Sequence, residues 1–398
     1  MFFLACAMII SLFISRAALS ICVAAFIIAA ISMFNIKFTA LKFIRTPLLF
    51  SVTLLFLIPF VSGIWSDDKT AWLDVLRTKL PLLLLPLAFA SNFTFTRQQW
   101  RALAVLLLII VFAGSLCTMG TYLQEAKHFE ESYLRSSTLP TPLENDHVRF
   151  SWLVAFCVLV SAWLFVICSK LFLRILILTA GLWLIVFLHI LAARTGLLVV
   201  YFLGIFIIVR LLLRGVKPAI AMISIACLVA LPFIAYKVFP TFKNRVKFVS
   251  YDYGYFKDAH YLPGGSDAMR VISFKAGLNS AIEQPIIGYG FGDIKETIND
   301  YYATHYQQVK PEDRIMPSSE ILLYGVGSGV IGVIALLWVM LVPFFMRVKD
   351  KFAWCMLNIA VAIPLVYDVG LEIQYGVFIY VAILLFLWKW FTAVDQKN

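Results

Sequence analysis

Charge is what this chain lacks. Only 14% of its 398 residues are Asp, Glu, Lys or Arg, against 62% hydrophobic, and the mean hydropathy is +0.92. So little charge cannot clothe a water-soluble surface, which excludes an ordinary globular class and calls for an integral membrane protein. Alternating ten-residue segments are missing too, which excludes a β-barrel; the apolar runs are continuous and long, so they are read as helices. The seven cysteines lie within or at the ends of apolar blocks and form no CxxC or Cys/His spacing. Neither a disulfide nor a metal site is expected, and no cofactor. No small-residue cleavage site follows the first apolar block, which is read as a retained helix rather than a removed signal peptide. The net charge of +11 does not point to nucleic acid, because the basic residues are scattered through short loops. There they orient helices.

What is present is a series of apolar blocks near 1–15, 17–34, 47–64, 79–93, 102–119, 150–169, 171–192, 195–213, 218–239, 317–346, 353–371 and 376–394. At about 20 residues per crossing, these predict an all-α polytopic membrane protein of about twelve transmembrane helices. Three segments follow: 1–239 with nine spans, a large loop at 240–316, and 317–398 with three more. Lys37, Lys42 and Arg45; Arg97 and Arg101; Lys170 and Arg174; Arg210, Arg214 and Lys217; and Arg347, Lys349 and Lys351 fall in alternate loops, with Lys397 on the same side. By the positive-inside rule both termini are cytoplasmic, and the breaks at 65–78, 120–149 and 240–316 face outward.

The polar breaks carry the candidates. Arg77 and Lys79 stand at the outer mouth of a span, either as snorkelling anchors or, for Lys79, in contact with an anionic head group. Arg194 sits in a turn too short to swing away, either an interfacial anchor or a functional group. In the large loop, Ser266 and Asp267 are N-cap residues for a run in which Val271, Ile272, Phe274, Leu278, Ala281 and Ile282 recur on one helical face until Pro285. That predicts a helix lying in the interface, apolar side down. Arg270 falls in its first turn, where the helix dipole does not favour a cation and another partner is called for. Gly288, Gly290 and Gly292 follow no strand and open no helix of the right spacing, so a nucleotide loop is rejected. Pro317 starts the next span, with Ser318 and Ser319 beside it and Glu320 in the first turn, a regular helix start. Gly325, Gly327, Gly329 and Gly332 are read as permitting close packing against a neighbouring helix or a lipid chain. Asp368 and Glu372 are read as interface residues.

Taken together, these pieces resemble the O-antigen ligase and O-antigen polymerase family of bacterial GT-C type membrane glycosyltransferases. The resemblance rests on Ala193-Arg194-Thr195-Gly196, on Arg270 followed by Pro285-Ile286-Ile287-Gly288-Tyr289-Gly290-Phe291-Gly292, and on Pro317-Ser318-Ser319 with Gly329-Val330-Ile331-Gly332 beyond. Where the family has Pro-His-Asn, this chain has Pro317-Ser318-Ser319. The family His is associated with the acceptor hydroxyl, so its place is taken by Glu320, by a loop residue such as His305, or activity is altered. The resemblance implies an undecaprenyl-diphosphate-linked glycan donor, a lipid A-core or other glycan acceptor, surrounding membrane lipids, and a metal-independent, inverting transfer on the periplasmic face of the inner membrane. Ligase is preferred to polymerase because the large loop is single and late in the chain. Arg194, Arg270 and Lys79 then meet the departing diphosphate, as paired guanidinium donors match phosphate oxygens. A transporter or flippase is the alternative of another class; it predicts charges buried mid-helix and an internal repeat, and neither is evident in the sequence.

Overall fold

The computed structural model describes residues 1–135, 137–215, 217–257 and 267–393, so Ser266 and Lys397 lie outside the described residues. In chain order the helices are α1 (Phe2–Ser11), α2 (Arg16–Ile31), α3 (Ile36–Arg45), α4 (Pro47–Ser62), α5 (Lys69–Lys79), α6 (Pro81–Ala90), α7 (Arg97–Gln124), α8 (Ala126–Ser132), α9 (His147–Ile167) and α10 (Leu171–Leu191). They continue as α11 (Arg194–Leu213), α12 (Pro218–Val238), α13 (Pro240–Lys257), α14 (Asp267–Glu283), α15 (Ile294–His305), α16 (Glu320–Phe345), α17 (Lys351–Ala362), α18 (Pro364–Tyr367) and α19 (Gln374–Ala393). The described residues contain no strand.

Seven helices, α7, α9, α10, α11, α12, α16 and α19, are long and apolar enough to cross a membrane, and α3 with α4, bent by 86°, makes an eighth if counted as one span. The chain is a multi-pass, all-helical membrane protein, but the count falls below the twelve predicted. The remaining blocks are helical but shorter than the 18 residues expected of a straight crossing, so twelve spans are not confirmed. Helices α1 and α6 have ten residues each and α2 has 16, while 353–371 breaks between α17 and α18 at Ile363 before Pro364. Ten helical residues cover about 15 Å, half of a hydrocarbon core.

Two compact units make up the chain. The first comprises Met1–Leu103 and Asp258–Asn398; the second is Ala104–Lys257. In the first unit, α4 packs on α16 and α6, α14 on α16, and α19 on α6. Proline shapes this core. Pro59 has no N–H, so the Leu55 carbonyl one turn earlier loses its helical donor, and the Tyr324 hydroxyl of α16 supplies one at 2.8 Å. In the second unit, α9 packs on α10 and α11, and α11 and α13 flank α12. Helix α12 buries little beyond Ala221 and Ala235 and exposes Met222, Ile223, Val229 and Phe233. Such a surface suits lipid and not water.

The segment read as a large loop is mostly helical, holding α13, α14 and α15. The stripe expected to lie apolar side down divides in two. Ile272, Ser273, Ala276, Gly277 and Ser280 are buried, on a helix that packs against α16. Phe274, Leu278 and Ile282 stay exposed at four-residue intervals. The small residues permit the close helix contact and leave the large ones for an apolar environment.

Candidate active site

The centre of the first unit's polar chemistry is the short connection between α18 and α19, Asp368 to Ile373. Three charged side chains from distant parts of the sequence reach it. Glu320, at the first position of α16 and without exposure, accepts the backbone N–H groups of Gly370 and Leu371 on Oε2, each at 3.0 Å. Its Oε1 accepts no hydrogen bond and faces the Lys79 ammonium at 3.5 Å. Lys79, at the end of α5 and also without exposure, donates to the Glu372 carboxylate at 2.5 Å and to the Leu371 carbonyl at 3.2 Å. Its ammonium lies 5.0 Å from the Tyr324 ring centroid and 5.5 Å from that of Phe291. Burial pushes the Lys79 ammonium toward neutrality, but Glu372, Tyr324 and Glu320 together carry its pKa above the ordinary lysine value. Lys79 is therefore a charged, enclosed group.

Arg270 approaches the same connection from α14. Its guanidinium lies 3.5 Å from the Asp368 carboxylate and donates at 3.5 Å to the Tyr367 carbonyl, with 28% of the side chain exposed. Both contacts are at the outer limit of a hydrogen bond, and arginine carries five N–H donors. Arg270 is oriented but not saturated. Beside it, the Ser318 hydroxyl and amide both meet the Ser273 hydroxyl of α14, at 3.1 and 3.2 Å.

The glycine run is a structural joint. Helix α16 breaks at Ser328 and Gly329, and Gly329 takes φ 61°, ψ −153°, a conformation open to glycine alone. The 285–290 segment fills the break. Val330 N–H donates to the Pro285 carbonyl at 2.8 Å, Tyr289 N–H to Val326 at 2.8 Å, and Gly290 N–H to Gly327 at 3.1 Å. On its other side the run is held by the α4–α5 connection. Phe291 and Gly292 N–H groups donate to the Ser62 and Ser66 hydroxyls, and the Asp293 carboxylate accepts the Asp67 and Asp68 amides at 2.8 Å. Gly327 and Gly329 thus serve contact with this segment, not the packing against a helix or lipid chain expected of them.

Arg194 belongs to the second unit. It opens α11 after a two-residue turn in which Ala192 adopts a left-handed φ of 49°. The end of α10 is clamped, because the Tyr133 hydroxyl donates to the Leu191 carbonyl at 2.8 Å and the Thr241 hydroxyl to Ile190 at 2.6 Å. Gly196 N–H donates to the Ser151 hydroxyl of α9 at 3.2 Å, and a Cβ at Gly196 would stand 2.5 Å from the Ser151 carbonyl oxygen. The half-buried Arg194 side chain is thereby set on a fixed turn.

Of the residues singled out from sequence, the structure joins Lys79, Arg270 and Glu320 through one connection, with Ser318 one hydroxyl away and Ser319 buried beside it. Arg77 and His305 stand outside that set. Arg77 is exposed and paired with Asp74 at 2.8 Å; His305 is exposed at the end of α15 and stacks on Tyr301 at 4.3 Å. Snorkelling does not hold for Lys79, whose ammonium is sealed from solvent. Asp368 and Glu372, read as interface residues, are the direct partners of Arg270 and Lys79. Each lies at a helix end, where an acidic residue carries no distinguishing mark; only Arg270, which the helix dipole does not favour, pointed to a missing partner.

No curated protein matches the chain. Residues 179–337, which hold Arg194, Arg270, Ser318, Glu320 and the joint at Gly329, match the family model described as O-antigen ligase. Over that segment, 159 of its 398 residues, this chain is similar to the O-antigen ligase family.

Proposed function

We propose that the chain transfers a glycan from a polyprenyl diphosphate carrier, undecaprenyl diphosphate in a bacterial inner membrane, to lipid A-core oligosaccharide on the periplasmic face. The observation that carries this reading is the state of Arg270, held in place by two long contacts with donors to spare. A diphosphate offers such donors shorter, charge-assisted partners. As the glycosidic bond breaks, negative charge grows on the departing diphosphate, and a preset guanidinium stabilises it without reorganising. Arg194, on its clamped turn, is assigned the same chemistry from its family motif. Once a phosphate takes Arg270, the Asp368 carboxylate beside it is assigned to accept the proton of the acceptor hydroxyl, in place of the family His. That hydroxyl attacks the anomeric carbon opposite the leaving group, which inverts it.

Glu320 is better suited to anchoring than to proton transfer. One oxygen is filled by two backbone amides and the other faces Lys79. The test measures glycan transfer from a lipid-linked donor by Arg194→Ala, Arg270→Ala and Asp368→Asn proteins that insert at normal levels. Loss of about 100-fold or more is expected for an arginine that stabilises the leaving group. Near-normal transfer by both arginine variants removes the mechanism.

Extension of the glycan on a second lipid-linked unit, the polymerase reaction, uses the same donor chemistry; supplying each acceptor separately and sizing the product tells the two apart. A lipid-linked saccharide flippase has one observation in its favour, the buried Lys79–Glu320–Glu372 group beside a broken helix. Donor movement across vesicles with no new glycosidic bond would select it.

A further inference from the structure

At the far end of α19 from the Glu372 connection lies a second polar cluster that glycan transfer does not use. From Gln374 to Lys389 the helix rises about 22 Å, most of a hydrocarbon core. Lys389 is 6% exposed and donates to the Ser91 and Phe93 carbonyls at 2.9 and 3.0 Å, capping the end of α6. Its ammonium stands 4.1 Å over the Phe93 ring. Lys42 of α3, its ammonium 5.7 Å from the Phe38 ring centroid, comes to the same tryptophan as Lys389. Both lysine nitrogens lie 5.8 Å from the Trp388 ring centroid. Among the described residues, no carboxylate pairs with either.

Two ammonium groups beside one indole offer six N–H donors, two of which meet carbonyls. An anion between them would offset the repulsion of two like charges. The setting supplies the anion. Helix α3 turns 86° from α4, exposes Phe38, Leu41 and Ile44, and carries Lys37, Lys42 and Arg45. A basic amphipathic helix bent off a spanning one lies in the plane of the membrane surface. Lys42 is then held at the depth of the lipid phosphates, and basic recesses between spanning helices are the places where acidic head groups bind.

We propose that the Lys42–Lys389 pair is a binding site for the phosphate of an anionic glycerophospholipid, with Trp388 as its floor and α3 as its outer wall. The site is independent of the glycan-transfer reading, since none of its residues belongs to the Lys79, Glu320 and Arg270 assembly.

The test uses the full chain in nanodiscs of phosphatidylcholine, with or without phosphatidylglycerol. It reads retained lipid by native mass spectrometry and the thermal unfolding midpoint. Phosphatidylglycerol is expected to be retained in preference and to raise the midpoint. Lys42→Gln, a change at a half-exposed position, is expected to weaken that preference about fivefold, and Lys42→Arg to keep it. Equal retention of the two lipids, or a preference unmoved by Lys42→Gln, overturns the proposal. So does an equal rise in midpoint with inorganic phosphate in phosphatidylcholine discs, since that assigns the site to free anion.

Discussion

Lys79 ends an otherwise amphipathic helix, and its ammonium meets two carboxylates instead of water. Removing one partner of a buried ion group leaves the others uncompensated. Lys79→Met is therefore expected to cost about 3–5 kcal/mol, with part recovered when Glu372→Gln is added. Unfolding midpoints of the single and double variants in a fixed lipid check this; equal loss in both would mean the pair is not coupled. Because the folded-state pKa of Lys79 is raised, its contribution is complete below the ordinary lysine value and fades only as pH climbs past the raised one. Glu320→Gln retains the shape and the two backbone contacts while losing the charge opposite Lys79. It is expected to lower stability with turnover per folded molecule preserved; loss of turnover at unchanged stability would make Glu320 the proton acceptor instead. Of the cations of this assembly, Arg270 is legible in the sequence as a group that calls for a partner, because the helix dipole does not favour a cation there, whereas Lys79 reads as an interfacial anchor. The carboxylates are not legible, since pairing across nearly 300 residues leaves no local trace.

At the scale of the element, helices α14 and α16 show how far pattern reading goes. Their existence, the start of α14 at Asp267 and the breaking role of Pro285 follow from caps, periodicity and proline, whereas α16 starts at Glu320, three residues after the Pro317 expected to open it. The division of α14 into a small-residue packing face and an exposed large-residue stripe did not follow. Both faces are apolar enough to satisfy one helical period, and only the partner helix decides which is covered. The break in α16 was hidden for a related reason, as glycines in an apolar run read equally well as packing positions. Gly329→Ala places a Cβ 2.4 Å from the Ile286 backbone and demands a dihedral pair that alanine avoids. A loss of about 1–3 kcal/mol or more is expected from the dihedral alone, seen as a lower unfolding midpoint and lower yield. Gly196→Ala in the second unit meets the Ser151 carbonyl oxygen at 2.5 Å and is expected to displace the turn that carries Arg194. Glycan transfer should then fall even with the arginine intact; unchanged transfer would show that the turn tolerates the shift.

For the whole molecule, composition was enough to fix an all-helical membrane protein, but not the number of crossings. Hydropathy registers an apolar block whether it spans, stops halfway or bends, so the short helices α1, α2, α6 and the α17–α18 pair leave the expected twelve unconfirmed. Orientation is a separate expectation. If the basic loops lie in the cytoplasm, a reporter active only outside the membrane is silent when fused after Gly215 and active when fused after Lys310. The opposite pattern would put Arg270 and Asp368 on the wrong side for a periplasmic acceptor.

The interruption of α16 has a mechanical consequence. Residues 320–327 cannot tilt with the remainder of that helix, because they are stitched through Val326 and Gly327 to the Tyr289–Gly290 strip and through it to Ser62 and Ser66. The hinge leaves Glu320 riding with this crossbrace while the long half of the helix is left to follow the bilayer, so changes in membrane thickness should be absorbed beyond Gly329 without disturbing the charged assembly at the start of the helix.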